Sequence, residues 1–225
     1  MKILGSLIIL GMFMLSSVLA QDPSAEKLEE FATKYGRITS PKYQGLKGSP
    51  YLVEDFIPGE IKLESGEALK LNLRFNVYDD EFEFESNNGI RVLKLPERVS
   101  RILLGDSEYI YLESYGEEDE SSGYFKLVAG DEYRLLIKHN KIFIPSVAAG
   151  AYEPATEAEL RNHPDVFYLA VSGKHPVKLK RKKKFIIELI PAKEEEISRY
   201  IKDEKISLHK KSDLIDLIDY LNTSM

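Results

Sequence analysis

Residues 69–85 permit few structures. Leu69, Leu71, Leu73, Phe75 and Val77 alternate with polar residues, and after Asp79-Asp80 the apolar parity passes to Phe82 and Phe84. Period-2 alternation marks a strand with one buried face. A slip of one residue would turn every apolar side chain to water, so the pairing is tightly specified. A two-residue turn at Asp79-Asp80 is predicted. It sets Val77 opposite Phe82 and Phe75 opposite Phe84 on one face, with Asn76 against Glu83 and Arg74 against Glu85 on the other.

The same period runs on through residues 51–179. Strands are predicted at 61–63, 68–77, 81–85, 90–95, 100–104, 109–112, 124–128, 132–138, 142–145, 166–171 and 177–179. Asn87-Asn88-Gly89, Gly105-Asp106, Gly130-Asp131 and His139-Asn140 carry turn chemistry between them. Within 132–138 both parities are apolar, which predicts a strand covered on both faces. Residues 146–164 interrupt the meander. Thr156-Glu-Ala-Glu159 has the spacing of a capping box, so a short helix ending before Pro164 is expected, as a surface insertion over a sheet edge.

Both ends read as helical. Asp22 and Pro23 make a helix start, Leu28, Phe31, Ala32 and Tyr35 form a stripe, and Gly36 closes it. Residues 37–50 read as linker. At the C-terminus Phe185, Ile186, Leu189 and Ile190 fit one helix, and Ile197, Tyr200 and Ile201 a second. Leu214, Leu217, Ile218 and Leu221 fit a third, capped by Ser212. The fold class expected is mainly β, becoming α+β at the C-terminus: an antiparallel meander forming a barrel-like or sandwich domain, followed by two or three short helices.

Destination is written at the front. Lys2, the apolar run over residues 3–14 and the small residues ending at Ala20 match a signal peptide cleaved after Ala20. The run is shorter than the ~20 residues that span a bilayer. The chain has no cysteine, so neither a lipidated cysteine nor a disulfide can form, which points to a bacterial periplasm or secretion. The expected organisation is a signal peptide over 1–20, a short helix and linker over 21–50, a β domain over 51–180 and packed helices over 181–225. The formal charge of −6 disfavours generic nucleic-acid binding.

Candidate chemistry is sparse. Gly105-Asp106-Ser107 resembles the nucleophile block of GDS-type esterases, but it leads into another strand and no Asp-x-x-His follows; a hairpin turn is expected. His139, His163, His175 and His209 show no paired spacing and read as solvent-exposed turn residues. Asp79, Asp80, Glu81, Glu83, Glu85 and the run Glu117-Glu-Asp-Glu120 read as solvated acidic tips, not as a carboxylate pair in contrasting environments. Lys178, Lys180, Arg181, Lys182, Lys183 and Lys184 form the sharpest charge run. It is a candidate anion-binding patch beside the simpler reading of a lysine-protected edge. No cofactor is expected.

Gly48-Ser-Pro-Tyr-Leu-Val-Glu-Asp-Phe56, Gly59-Glu-Ile-Lys-Leu63 and residues 73–84 resemble the front half of uncharacterised exported proteins common in Bacteroidota. Residues 197–206 and 213–220 resemble their helical tail. The resemblance implies an exported β-rich protein and carries over no functional residues. The expectation is a non-enzymatic binding or envelope-associated module, its partner a cell-envelope component or a protein. A small-molecule carrier, with an apolar cavity inside the sheet, is a variant of that reading; the alternatives are a hydrolase of envelope glycans or lipids and a transmembrane β-barrel.

Overall fold

The computed structural model describes residues 23–39, 42–113, 122–150 and 153–223. Its elements in chain order are α1 (Pro23–Tyr35), β1 (Gly36–Ile38), β2 (Lys47–Gly48), β3 (Ile57–Leu63), β4 (Ala68–Asn76), β5 (Glu81–Ser86), β6 (Gly89–Leu93), β7 (Val99–Leu104), β8 (Ser107–Leu112), β9 (Gly123–Ala129), β10 (Tyr133–Ile144), β11 (Glu159–Val171) and β12 (Val177–Lys178). α2 (Lys183–Leu189), α3 (Glu194–Asp203) and α4 (Lys211–Thr223) follow. The chain is mainly β with three helices at its C-terminal end, as the periodicities require. The expected cleavage site and the acidic run at 117–120 lie outside the described residues.

The strands form one sheet of twelve in the order β1-β6-β5-β4-β3-β7-β8-β9-β10-β11-β12, with β2 beside the start of β11. Every pair is antiparallel except β2–β11. The sheet is not closed, yet it curls. Four strands separate β5 from β9, but the Phe82 and Tyr124 rings meet edge-on at 4.9 Å. The concave side is filled. Ile61, Leu73, Phe82, Phe84 and Ile102 are fully buried there, and α1 adds Phe31 and Ala32. A hollow carrier interior is therefore not what these side chains build. Among the described residues β1 and β12 end the ladder and do not pair with each other.

β10 is covered on both faces, as its double parity predicts. Leu135 packs with Ile186, Ile197, Leu217 and Ile218 of the C-terminal helices. Its neighbour Leu136 points the other way, to Phe125 and Tyr168.

Several local expectations are corrected. Residues 77–80 form a four-residue turn, not a two-residue one, so Phe75 faces Phe82, Leu73 faces Phe84 and Arg74 faces Glu83. The slip of two keeps the apolar face intact. Its cause lies outside the hairpin: Pro50 O accepts the backbone N–H groups of Val77 and Tyr78, taking them from β5. The Asn76 side chain accepts the N–H of Asp79, and Asp80 turns the chain at φ 56°. His139-Asn140 is not a turn, because β10 runs through it. No helix follows Thr156; residues 159–171 are strand, Pro164 included. Residues 37–50 hold two short strands in place of a linker. Ser212 does not cap α4, which begins at Lys211; its hydroxyl donates to Asp213, and that carboxylate accepts the N–H of Ser207.

Residues 47–52 act as a strap across the sheet's open seam. Lys47 and Gly48 pair with Glu159 and Leu160 of β11, and Tyr51 bridges Asn76 of β4. Gly48 has φ +77°, and a Cβ there would overlap the Leu160 carbonyl oxygen. Only glycine meets both demands. Farther along, Arg74 lies 3.6 Å from the Tyr51 ring centre and 4.3 Å from that of Phe56, while its guanidinium donates to Glu83 at 2.6 Å.

Candidate functional site

Pro164 creates the site. A proline in a sheet is confined to edges and bulges, since it has no N–H for the ladder. Around it the register of β10 and β11 shifts: Lys138 faces Val166 and Asn140 faces His163, leaving His139 alone against Pro164 and Asp165. Bulges re-aim side chains, and this one joins His139 to Asp165. His139 Nδ1 lies 3.1 Å from Asp165 Oδ1, and His139 Nε2 lies 3.3 Å from the Tyr109 hydroxyl. A carboxylate only accepts, so Nδ1 carries the proton and Nε2 accepts from Tyr109.

The chain Asp165–His139–Tyr109 has the order of a nucleophilic triad, but its chemistry differs. Tyr109 is 1% exposed, its ring packed at 5.5 Å on Phe75 and 5.3 Å on Phe82. Burial, and then Asp165, push its hydroxyl far up from the ordinary value, so it stays protonated. The chain anchors His139 in the core and holds Asp165 at the surface, where 43% of that side chain is exposed.

Beside it the Asn140 amide donates to His163 Nδ1 at 3.1 Å, leaving the His163 proton on Nε2. Lys141 donates to Ser49 O of the strap at 2.8 Å, and burial pulls its ammonium below the ordinary value, opposed by Glu54. Leu52, Val77, His139, Asn140, Lys141, Asn162, His163 and Asp165 line a groove of about 410 Å³. It lies where the sheet fails to close, with the strap and the β4–β5 turn on one bank and β10–β11 on the other. An adjoining depression of about 280 Å³ shares His139 and Asn140 and adds Lys138, Val166, Tyr168 and Lys178.

Asp79 and Asp80 are not solvated tips. Asp79 accepts from Tyr43, Lys42 and Asn76. Asp80 faces Lys138 at 3.5 Å and accepts the Tyr124 N–H. Burial raises the Asp80 carboxyl while Lys138 lowers it, and the net direction is upward. Glu83 is buried beneath Arg74. The expected turn histidines divide: His139 is mostly enclosed, whereas His163 stands exposed on β11. His175 and His209 lie exposed outside the groove.

The basic run begins at β12 and enters α2. Lys178 lines the second depression. Lys180 lies over the Phe185 ring, Arg181 stacks on Phe167 and donates to His209 O, and Lys184 faces Glu188 at 3.8 Å. Lys182 precedes α2 and Lys183 opens it. Lys180, Arg181 and Lys184 thus have three different neighbours. Ser107 sits in hairpin strand β8 and accepts from Lys126 at 2.7 Å. Among the described residues no three His, Asp or Glu side chains are grouped to hold a metal ion. Tyr109, His139, Asn140, His163 and Asp165 were not legible as a set; the one signal was Pro164 within a polar stretch beside an apolar strand.

Comparison with protein-family models, with curated proteins and with solved structures gives no match.

Proposed function

We propose that this protein is an exported, non-enzymatic binding module that seats its ligand in the seam groove. The carrying observation is the Asp165–His139–Tyr109 chain. Rigid placement of polar groups at a concave opening is what a binding site requires. Here a buried tyrosine and a proline-induced bulge fix those groups in advance. Export is supported by the leader-like first twenty residues and by the resemblance to exported Bacteroidota proteins. An envelope component is the partner this reading favours, with the protein periplasmic or secreted.

The test has two arms. Osmotic-shock fractionation of cells expressing the full chain should release it as a shorter species beginning after Ala20; retention in the cytoplasm at full length would remove the export claim. Asn162→Trp places an indole on an exposed groove position without disturbing the core. The wild type should retain a component of envelope extract that this variant does not, and equal retention by both would move the binding seat elsewhere.

A further inference from the structure

We infer that the seam groove takes a neutral polyhydroxylated ligand, a saccharide in its chemical class; this rests on the groove being the binding seat. Its walls keep hydrogen-bonding positions that no protein group uses. Asp165 spends one oxygen on His139 and keeps the other. Asn140 spends its amide nitrogen on His163 and keeps its oxygen. His163, accepting at Nδ1, presents an Nε2–H donor. Lys141 spends one proton on Ser49 O and keeps two. Asn162, exposed on the same bank, offers both a donor and an acceptor.

The groove thus offers donors and acceptors side by side. A phosphate or carboxylate only accepts, and would set its oxygens against those of Asp165 and Asn140. An ammonium only donates, and would meet Lys141 and His163. A hydroxyl does both, so a run of hydroxyls satisfies the whole set. The charges agree: Lys141 and Asp165 balance, and each already has an internal partner, so no net charge awaits an ionic ligand. Leu52 and Val77 form an apolar wall suited to the C–H face of a sugar ring.

The experiment is NMR of the full mature chain, observing the His139 and His163 imidazoles and the Asn140 and Asn162 side-chain amides. Three probes are titrated separately to millimolar concentration: a neutral saccharide set (glucose, galactose, N-acetylglucosamine and maltose), inorganic phosphate, and glycylglycine. At least one saccharide should shift all four groups, and Asn162→Ala should weaken that response about tenfold, the loss of about one hydrogen bond, with an unchanged melting temperature. Shifts with phosphate or the dipeptide but not with saccharides would overturn the ligand class and leave the groove as the seat. Silence with all three would overturn both. A saccharide response unaltered in Asn162→Ala would also overturn the assignment.

Discussion

Asp80 and Lys138 meet at 3.5 Å across the open seam of the sheet, joining the β4–β5 turn to β10 where no strand pairing does. Both side chains are mostly buried, and the Asp80 carboxylate also accepts the Tyr124 N–H. The ladder leaves the curl unclosed; this contact and the strap hold its lips together.

Removing one partner of that pair weakens the hold on the other. Asp80→Ala should cost about 1–3 kcal/mol, because Lys138 loses its carboxylate and keeps the Ser122 carbonyl, and the Tyr124 N–H loses its acceptor. The double variant Asp80→Ala/Lys138→Met should recover part of the loss, because no charge is left without its partner. Urea denaturation of the three proteins checks this; a double variant no better than the single would show that the pair is not coupled. The pH dependence is a second readout. The folded carboxyl lies above its ordinary value of 3.8, so the folded state holds this proton more tightly than the unfolded chain. The stability of wild type relative to Asp80→Asn should therefore fall as pH rises from about 3.8 through the raised folded value.

Tyr109→Phe deletes the donor to His139 Nε2 and leaves the ring packing alone. A loss of about 0.5–1.5 kcal/mol is expected. The imidazole should keep the Nδ1–H tautomer that Asp165 sets, while the Nε2 15N resonance moves toward that of a nitrogen with a free lone pair. An unchanged Nε2 resonance would mean that Tyr109 does not donate to it.

Arg74 makes a prediction about shape more than charge. Its planar guanidinium stacks on Tyr51 and Phe56 while bonding Glu83, a geometry that an ammonium cannot copy. Arg74→Lys should cost about 1–2 kcal/mol and speed hydrogen exchange over residues 50–56, leaving β8 and β9 protected. Uniform exchange rates across the chain would refute a local role.

Asp213 governs acid sensitivity at the start of α4. The Ser207 backbone N–H, and then the Ser212 hydroxyl, hold its carboxyl below the ordinary value of 3.8. The folded state therefore releases this proton more readily than the unfolded chain. Its stabilising contribution is present above about 3.8 and is lost as pH falls through the folded value. Melting temperatures of wild type and Asp213→Asn should differ at neutral pH and converge in strong acid. Parallel curves would show that the carboxylate's charge plays no part.

Period and parity determined much of the molecule. Leu69 to Phe84 specify which face of a strand is buried, the double parity of residues 132–138 specifies a strand covered on both sides, and Leu214, Leu217, Ile218 and Leu221 specify the stripe of α4. These are local statements, and local sequence carries them. What only the tertiary structure decided is the register of the first hairpin and the site. Pro50 reaches the β4–β5 turn from outside and captures two N–H groups, moving the pairing by two residues, a change that alternation cannot see because it preserves every face. His139-Asn140 looks like a turn in isolation, yet it lies inside a strand because β11 pairs along nearly its full length and Pro164 supplies the bulge. The groove then arises from how far a filled sheet can curl before its aromatic core stops it, and that distance is set by side chains remote from one another in sequence.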